Sequence, residues 1–204
     1  MAIDLIDTVM LSGEAFDRWE STYTTVQTTS STWGGGGGGG FTLLETVAAT
    51  NQSEVACSAL DSSYDLYLVN IVSLLSINDG YDVRLQVYSG AGYDSGASDY
   101  TWGADAIGAY SPIGSGGASF IRLAYLVGKD DGEELSGHFF LRGARNSSYR
   151  TSLEGTVSNA LYWNGGQPRG QNIFGWRSAK QDDEYFRIYS ASGNITATFE
   201  IYGI

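Results

Sequence analysis

Histidine and cysteine each occur once, at His138 and Cys57, proline occurs twice, and basic residues number 11 against 23 acidic ones. Each scarcity excludes something. A single cysteine forbids an intrachain disulfide. Cys57 ends the apolar run Val55-Ala56-Cys57, where a buried, inert thiol is the expected reading. One thiol and one imidazole are poor material for Cys/His catalysis, and a Ser-His-Asp triad would have to use His138 itself. That residue lies in Gly137-His138-Phe139-Phe140-Leu141, a strand-like run in which a structural histidine is the simpler reading. The formal charge of −12 repels phosphate backbones, so no nucleic-acid partner is expected. There is no run of about 18 apolar residues, so no membrane-spanning helix and no membrane partner are expected. The start of the chain has no basic stretch leading into an apolar one, so no signal peptide is expected and synthesis in a cytoplasm follows.

What is abundant points to strands and turns. The chain of 204 residues carries 28 glycines and 14 tyrosines, and 13% of it is aromatic. Aromatic residues suit pleated, half-buried surfaces, and glycine suits the turns between them. The clearest boundary is the run Gly34 to Gly40. Seven consecutive glycines offer no side chain to pack and read as a linker. No Lys-Ser or Lys-Thr follows them, so they are not a phosphate loop. The division is therefore an N-terminal arm over 1–33, a polyglycine linker over 34–40 and a β domain over 41–204. In the arm, Ser12 can cap a short helix, on which Phe16, Trp19 and Tyr23 recur at helical spacing. So short a segment cannot bury that stripe alone, which makes these three the candidate attachment residues. Thr24 to Thr32 reads as extended chain.

Beyond the glycines the pattern is that of an antiparallel β-sandwich. Asp82-Val83-Arg84-Leu85-Gln86-Val87-Tyr88 alternates strictly, with Val83, Leu85 and Val87 expected inside and Arg84 and Gln86 outside. Further strands are expected at 41–47, 64–72, 120–125, 137–142, 160–163, 173–176, 185–189 and 195–202. Turn signals separate them, among them Asn78-Asp79-Gly80, Gly114-Ser115-Gly116-Gly117, Asp130-Asp131-Gly132 and Ser192-Gly193-Asn194. No strand–helix–strand rhythm and no internal repeat compete with this reading.

Several of these segments occur in a suggestive order. Leu43-Leu44-Glu45-Thr46 precedes Ala48-Ala49-Thr50, then Leu60 with Tyr64-Asp65-Leu66-Tyr67, the strand bearing Leu85, Tyr93, and Ser98-Asp99-Tyr100-Thr101-Trp102-Gly103. The series closes with Ser192-Gly193-Asn194-Ile195 and Phe199-Glu200-Ile201-Tyr202-Gly203-Ile204. Over 41–204 this resembles structural proteins of tailed-bacteriophage virions with a jelly-roll-like sandwich, of the decoration, head-fibre and tail-fibre-like kinds. The resemblance implies a non-enzymatic protein on the outer surface of a virion, made in the host cytoplasm. It implies capsid or tail proteins as partners, and it brings no catalytic residues.

Acidic clusters at Asp130, Asp131, Glu133 and Glu134, at Asp182, Asp183 and Glu184, and at Asp79 and Asp82 could be drawn as a glycosidase pair, but they fall in polar loops. Calcium is a possible cofactor for such hard oxygens, and none of the clusters has the spacing of an EF-hand loop, so no metal site is assigned. Trp102, Trp163 and Trp176 are candidate glycan-stacking or inter-subunit aromatics. The expected role is a capsid decoration or head-fibre protein anchored by its arm in a homo-oligomer, with a trimer the favoured symmetry. The alternative is a tail-fibre module that recognises host surface glycans.

Overall fold

The computed structural model describes residues 24–26, 40–57, 60–107, 113–161 and 167–204. Phe16, Trp19, Tyr23 and Trp163 lie outside them, as does 34–39 of the polyglycine run. The described residues contain thirteen strands and no helix. They are β1 (Thr24–Val26), β2 (Thr42–Gln52), β3 (Val55–Ala56), β4 (Leu66–Ser76), β5 (Tyr81–Tyr88), β6 (Tyr100–Ile107), β7 (Ile113–Ala118), β8 (Ile121–Val127), β9 (Leu135–Arg142), β10 (Arg150–Leu161), β11 (Gln167–Lys180), β12 (Tyr185–Ser190) and β13 (Ile195–Gly203).

All pairings are antiparallel and they make two sheets. The large sheet runs β1-β2-β13-β4-β9-β10-β11-β6-β7, and the small one runs β3-β12-β5-β8. A single residue pair, Leu161 with Val127, joins them. Two hairpins, β6–β7 inserted between β5 and β8 of the small sheet and β10–β11 inserted between β9 and β12 of opposing sheets, pair with each other through β6 and β11. With those hairpins and β1 set aside, eight strands remain. Counted along the chain, they lie in the order first, eighth, third, sixth in one sheet and second, seventh, fourth, fifth in the other.

The alternation in β5 behaves as its sequence predicts: Val83, Leu85 and Val87 are buried between the sheets. Phe186 of β12 sits at the centre, with ring centroids 6.2 Å from Phe139 of β9 and 6.1 Å from Phe199 of β13. Each such side chain stabilises the sandwich by roughly 1.5–3 kcal/mol. Gly155 of β10 permits one close approach: a Cβ there would lie 2.2 Å from the His138 carbonyl oxygen and 2.5 Å from the Phe139 Cα. Gly193 adopts φ 77° in the turn before β13, as expected for Ser192-Gly193-Asn194.

Three sequence expectations need correction. Gly114 to Gly117 belongs to strand β7 rather than to a turn, because β6 supplies the pairing that a glycine-rich segment cannot specify for itself. The strand expected at 160–163 begins ten residues earlier, at Arg150. Gln86 points away from the sandwich core but is only 3% exposed, because other side chains lie over it. In the segment expected to be extended, Thr24–Val26 forms β1, which pairs with Thr46 to Ala48 on the edge of β2.

Candidate functional site

The outer face of the small sheet carries an unusual layer. Cross-strand register sets Tyr185 beside Tyr88, Arg187 beside Gln86 and Tyr189 beside Arg84, and Arg84 beside Arg122 of β8. Tyr88 and Tyr185 stack with centroids 4.1 Å apart, and Tyr93 meets both rings edge-on. The Arg187 guanidinium lies 4.0 Å over the Tyr93 ring, pairs with Glu54 and donates to the side-chain Oε1 of Gln86. The Gln86 amide in turn donates to the Ser119 carbonyl at 2.7 Å. These contacts satisfy the polar groups that bury Gln86.

The layer continues as an alternation of cations and rings. Arg84 lies 4.0 Å over Phe120, Phe120 stacks on Trp102 at 6.4 Å, and Arg122 lies 4.5 Å over Trp102. Arg122 and Arg169 also approach the Tyr125 ring, at 5.3 and 5.6 Å. The rings keep apart like charges that strand register would otherwise place side by side. Arg122 pairs with Asp82 at 3.0 Å. Burial raises the Asp82 carboxyl above its usual range, against the pull of Arg122 and then Arg84. Arg84 has no carboxylate within ion-pair distance among the described residues.

Beside this layer opens a cleft of about 490 Å³. Trp102, Phe120 and Arg122 line one wall, and Gly114, Ser115 and Gly117 of β7 line another. Trp102 is 5% exposed and its indole N–H has no acceptor.

The outer face of the large sheet is built differently. Residues of β11 alternate, with Ile173, Gly175 and Arg177 buried and Phe174 and Trp176 exposed. Phe174 lies over Gly103 of β6, where an added Cβ would sit 2.3 Å from its ring. One cross-strand row runs Thr101, Trp176, Ser152, Arg142, Leu66. At its end Asp65, Arg142, Tyr149, Arg150 and Ser152 line a second cleft of about 400 Å³. Trp102 and Trp176 therefore occupy neighbouring strands yet opposite faces, and they do not form one platform.

Several of the acidic residues have structural partners. Asp183 is fully buried, where it accepts from Thr151 and pairs with Arg177. Arg177 also pairs with Asp94. Burial pushes the Asp183 carboxyl up to about 6, although Thr151 and Arg177 oppose the shift. Asp182 pairs with Arg145 at 3.1 Å. Asp79, Asp130 and Glu133 do come together, with oxygens within 4.8 Å of one another. Such oxygens suit a hard cation, but Lys129 already meets Asp79 through its ammonium at 3.1 Å and its amide at 3.0 Å. His138 is exposed on β9, edge-on to Phe140 and opposite Thr156 and Asn70. Cys57 is buried and accepts from the Phe186 amide, and burial raises its thiol far above the ordinary range.

Sequence reasoning found Trp102 and Trp176 but missed the arginine layer. The outward position of Arg84 was legible from strand alternation, whereas its ring partner Phe120 is brought in by tertiary folding. No family model, no curated protein and no solved structure matches this chain.

Proposed function

We propose that this chain is a non-enzymatic structural protein of a tailed-phage virion, a capsid decoration or head-fibre protein that attaches through its N-terminal arm. The observation that supports this reading best is the strand order. Four strands in the order first, eighth, third, sixth facing four in the order second, seventh, fourth, fifth are what a jelly roll has, an architecture used by viral capsid proteins. The sequence segments that resemble phage structural proteins fall on β2, β4, β5 and β13 of these eight strands and on β6. β1 adds support from a second direction. Three residues upstream of the polyglycine run extend a sheet by edge pairing, and a strand that docks on its own edge can dock on an equivalent edge of a neighbouring copy.

The test is attachment. Full-length protein and a 34–204 truncation are added to particles that lack the protein, and bound copies are counted. The full chain should bind, and the truncation should stay folded by circular dichroism while binding at least tenfold less. Equal incorporation of both would move attachment into the sandwich. A second reading, recognition of surface glycans, is favoured by the joint exposure of Phe174 and Trp176 on the flat outer face of β11.

A further inference from the structure

We propose that the cleft beside Trp102 binds an acidic saccharide, a hydroxyl-bearing ring that carries a carboxylate. This is a different place from the β11 face, and it does not depend on the virion reading.

Charge is the first ground. In a chain of net charge −12, three guanidinium groups gather on the face of the small sheet and Arg169 of β11 reaches the Tyr125 ring beside them. Arg122 lines the cleft itself. Its partner Asp82 is shared electrostatically with Arg84, which has no ion-pair partner of its own among the described residues. One carboxylate is thus set against two guanidinium groups, of which Arg122 lines the cleft, and a carboxylate bound there would balance the excess. Guanidinium matches a carboxylate through two parallel N–H donors, so the group that completes this arrangement is planar and anionic.

Unsatisfied donors are the second ground. The Trp102 indole N–H and the Arg84 Nε–H are buried with no acceptor. A buried donor without a partner is unfavourable. Trp102 lines the cleft, and a ligand oxygen against that wall would serve its indole, whereas Arg84 lies over Phe120 and outside the lining.

Size and lining decide between a bare anion and a sugar. About 490 Å³ is far more than a free carboxylate or phosphate fills, and it falls in the range of sites for small organic ligands. Phe120 and Trp102 offer apolar surface to the C–H side of a ring, and Ser115 and Ser119 offer polar groups to its hydroxyls. On the opposite wall Gly114 and Gly117 flank Ser115 without side chains of their own, so a ring there meets β7 backbone on either side of one hydroxyl.

The experiment titrates the full chain by calorimetry with three probes: a disaccharide ending in glucuronic acid, the same disaccharide with a hydroxymethyl group in place of the carboxylate, and inorganic phosphate. The acidic disaccharide should bind at least tenfold more tightly than either of the others. Ala97→Trp, at an exposed position on the cleft rim, should weaken it at least tenfold without touching the arginine layer. Arg122→Gln should erase the preference for the acid over the neutral sugar, while Trp176→Ala should leave binding unchanged. No binding of the acidic probe, equal binding of both sugars, or indifference to Ala97→Trp would each overturn the proposal. Binding lost in Trp176→Ala but kept in Ala97→Trp would place the saccharide on the β11 face instead, supporting the glycan reading while refuting this cleft.

Discussion

The two sheets of this sandwich face outward in opposite ways. The small sheet wears a second layer: arginines lie over aromatic rings, a glutamine is sealed beneath them, and Trp102 is almost fully buried. The large sheet is bare around β11, where Phe174 is 44% and Trp176 is 37% exposed. The same residue types are used, and register alone separates their fates. Thr101 is paired with Trp176 and Trp102 with Gly175, so one step along β6 changes a tryptophan from covered to open. Composition says how many aromatics a chain has, and pairing says which of them hold the fold together.

That contrast can be broken at its strongest point first. Trp102→Ala should destabilise the protein by about 3–5 kcal/mol, the range for large aromatics removed from packed sites, whereas Trp176→Ala should cost under about 1 kcal/mol. Urea unfolding of the two variants measures the difference, and similar midpoints would show that the arginine layer adds no packing. Next in size is Asp183→Asn, which concerns pH. The folded carboxyl holds its proton up to about 6, above its ordinary value of 3.8. Between those values the folded state binds more protons than the unfolded one, so this group's contribution falls as pH rises from about 4 through 6. The variant should lack that slope, and its stability relative to wild type should shift by on the order of 2 kcal/mol between pH 4 and 7. Thermal unfolding across that range reads it, and parallel curves would count against a neutral Asp183 at low pH. Smallest is the exposed pair of Arg142 and Glu154, 3.1 Å apart on the bare face. Glu154→Gln should change stability by less than about 0.5 kcal/mol, and a larger loss would mean that the bare face is less exposed to solvent than it looks.

The sandwich was legible in the sequence where alternation was strict. Val83, Leu85 and Val87 declared their face, and Gly193 declared its turn. Legibility failed where a strand relies on its neighbour. Ile113–Ala118 is half glycine and has no period of its own. The first ten residues of β10 carry Thr, Ser, Glu and Gly toward both faces and read as loop, although both β9 and β11 pair with them. Of the candidate site, single residues could be named but not their company. Arg84 meets Phe120 from 36 positions away, and nothing local predicts that meeting. Trp102 and Trp176 look alike as letters, and only the pairing of β6 with β11 distinguishes a structural tryptophan from a surface one.

The interlocking of the two inserted hairpins carries a consequence for how such a molecule can vary. β6 and β11 pair without a break from Tyr100 with Arg177 to Ile107 with Gly170. Each hairpin interrupts a different connection of the eight-stranded core, yet each covers the other's edge. Trimming one alone would bare a long row of backbone donors and acceptors on its partner, an invitation to aggregate. The two insertions are therefore a single cassette: a change in one calls for a change in the other, and the eight strands beneath can keep their pairing while the cassette, with the exposed aromatics and the one cleft wall it carries, is exchanged for another.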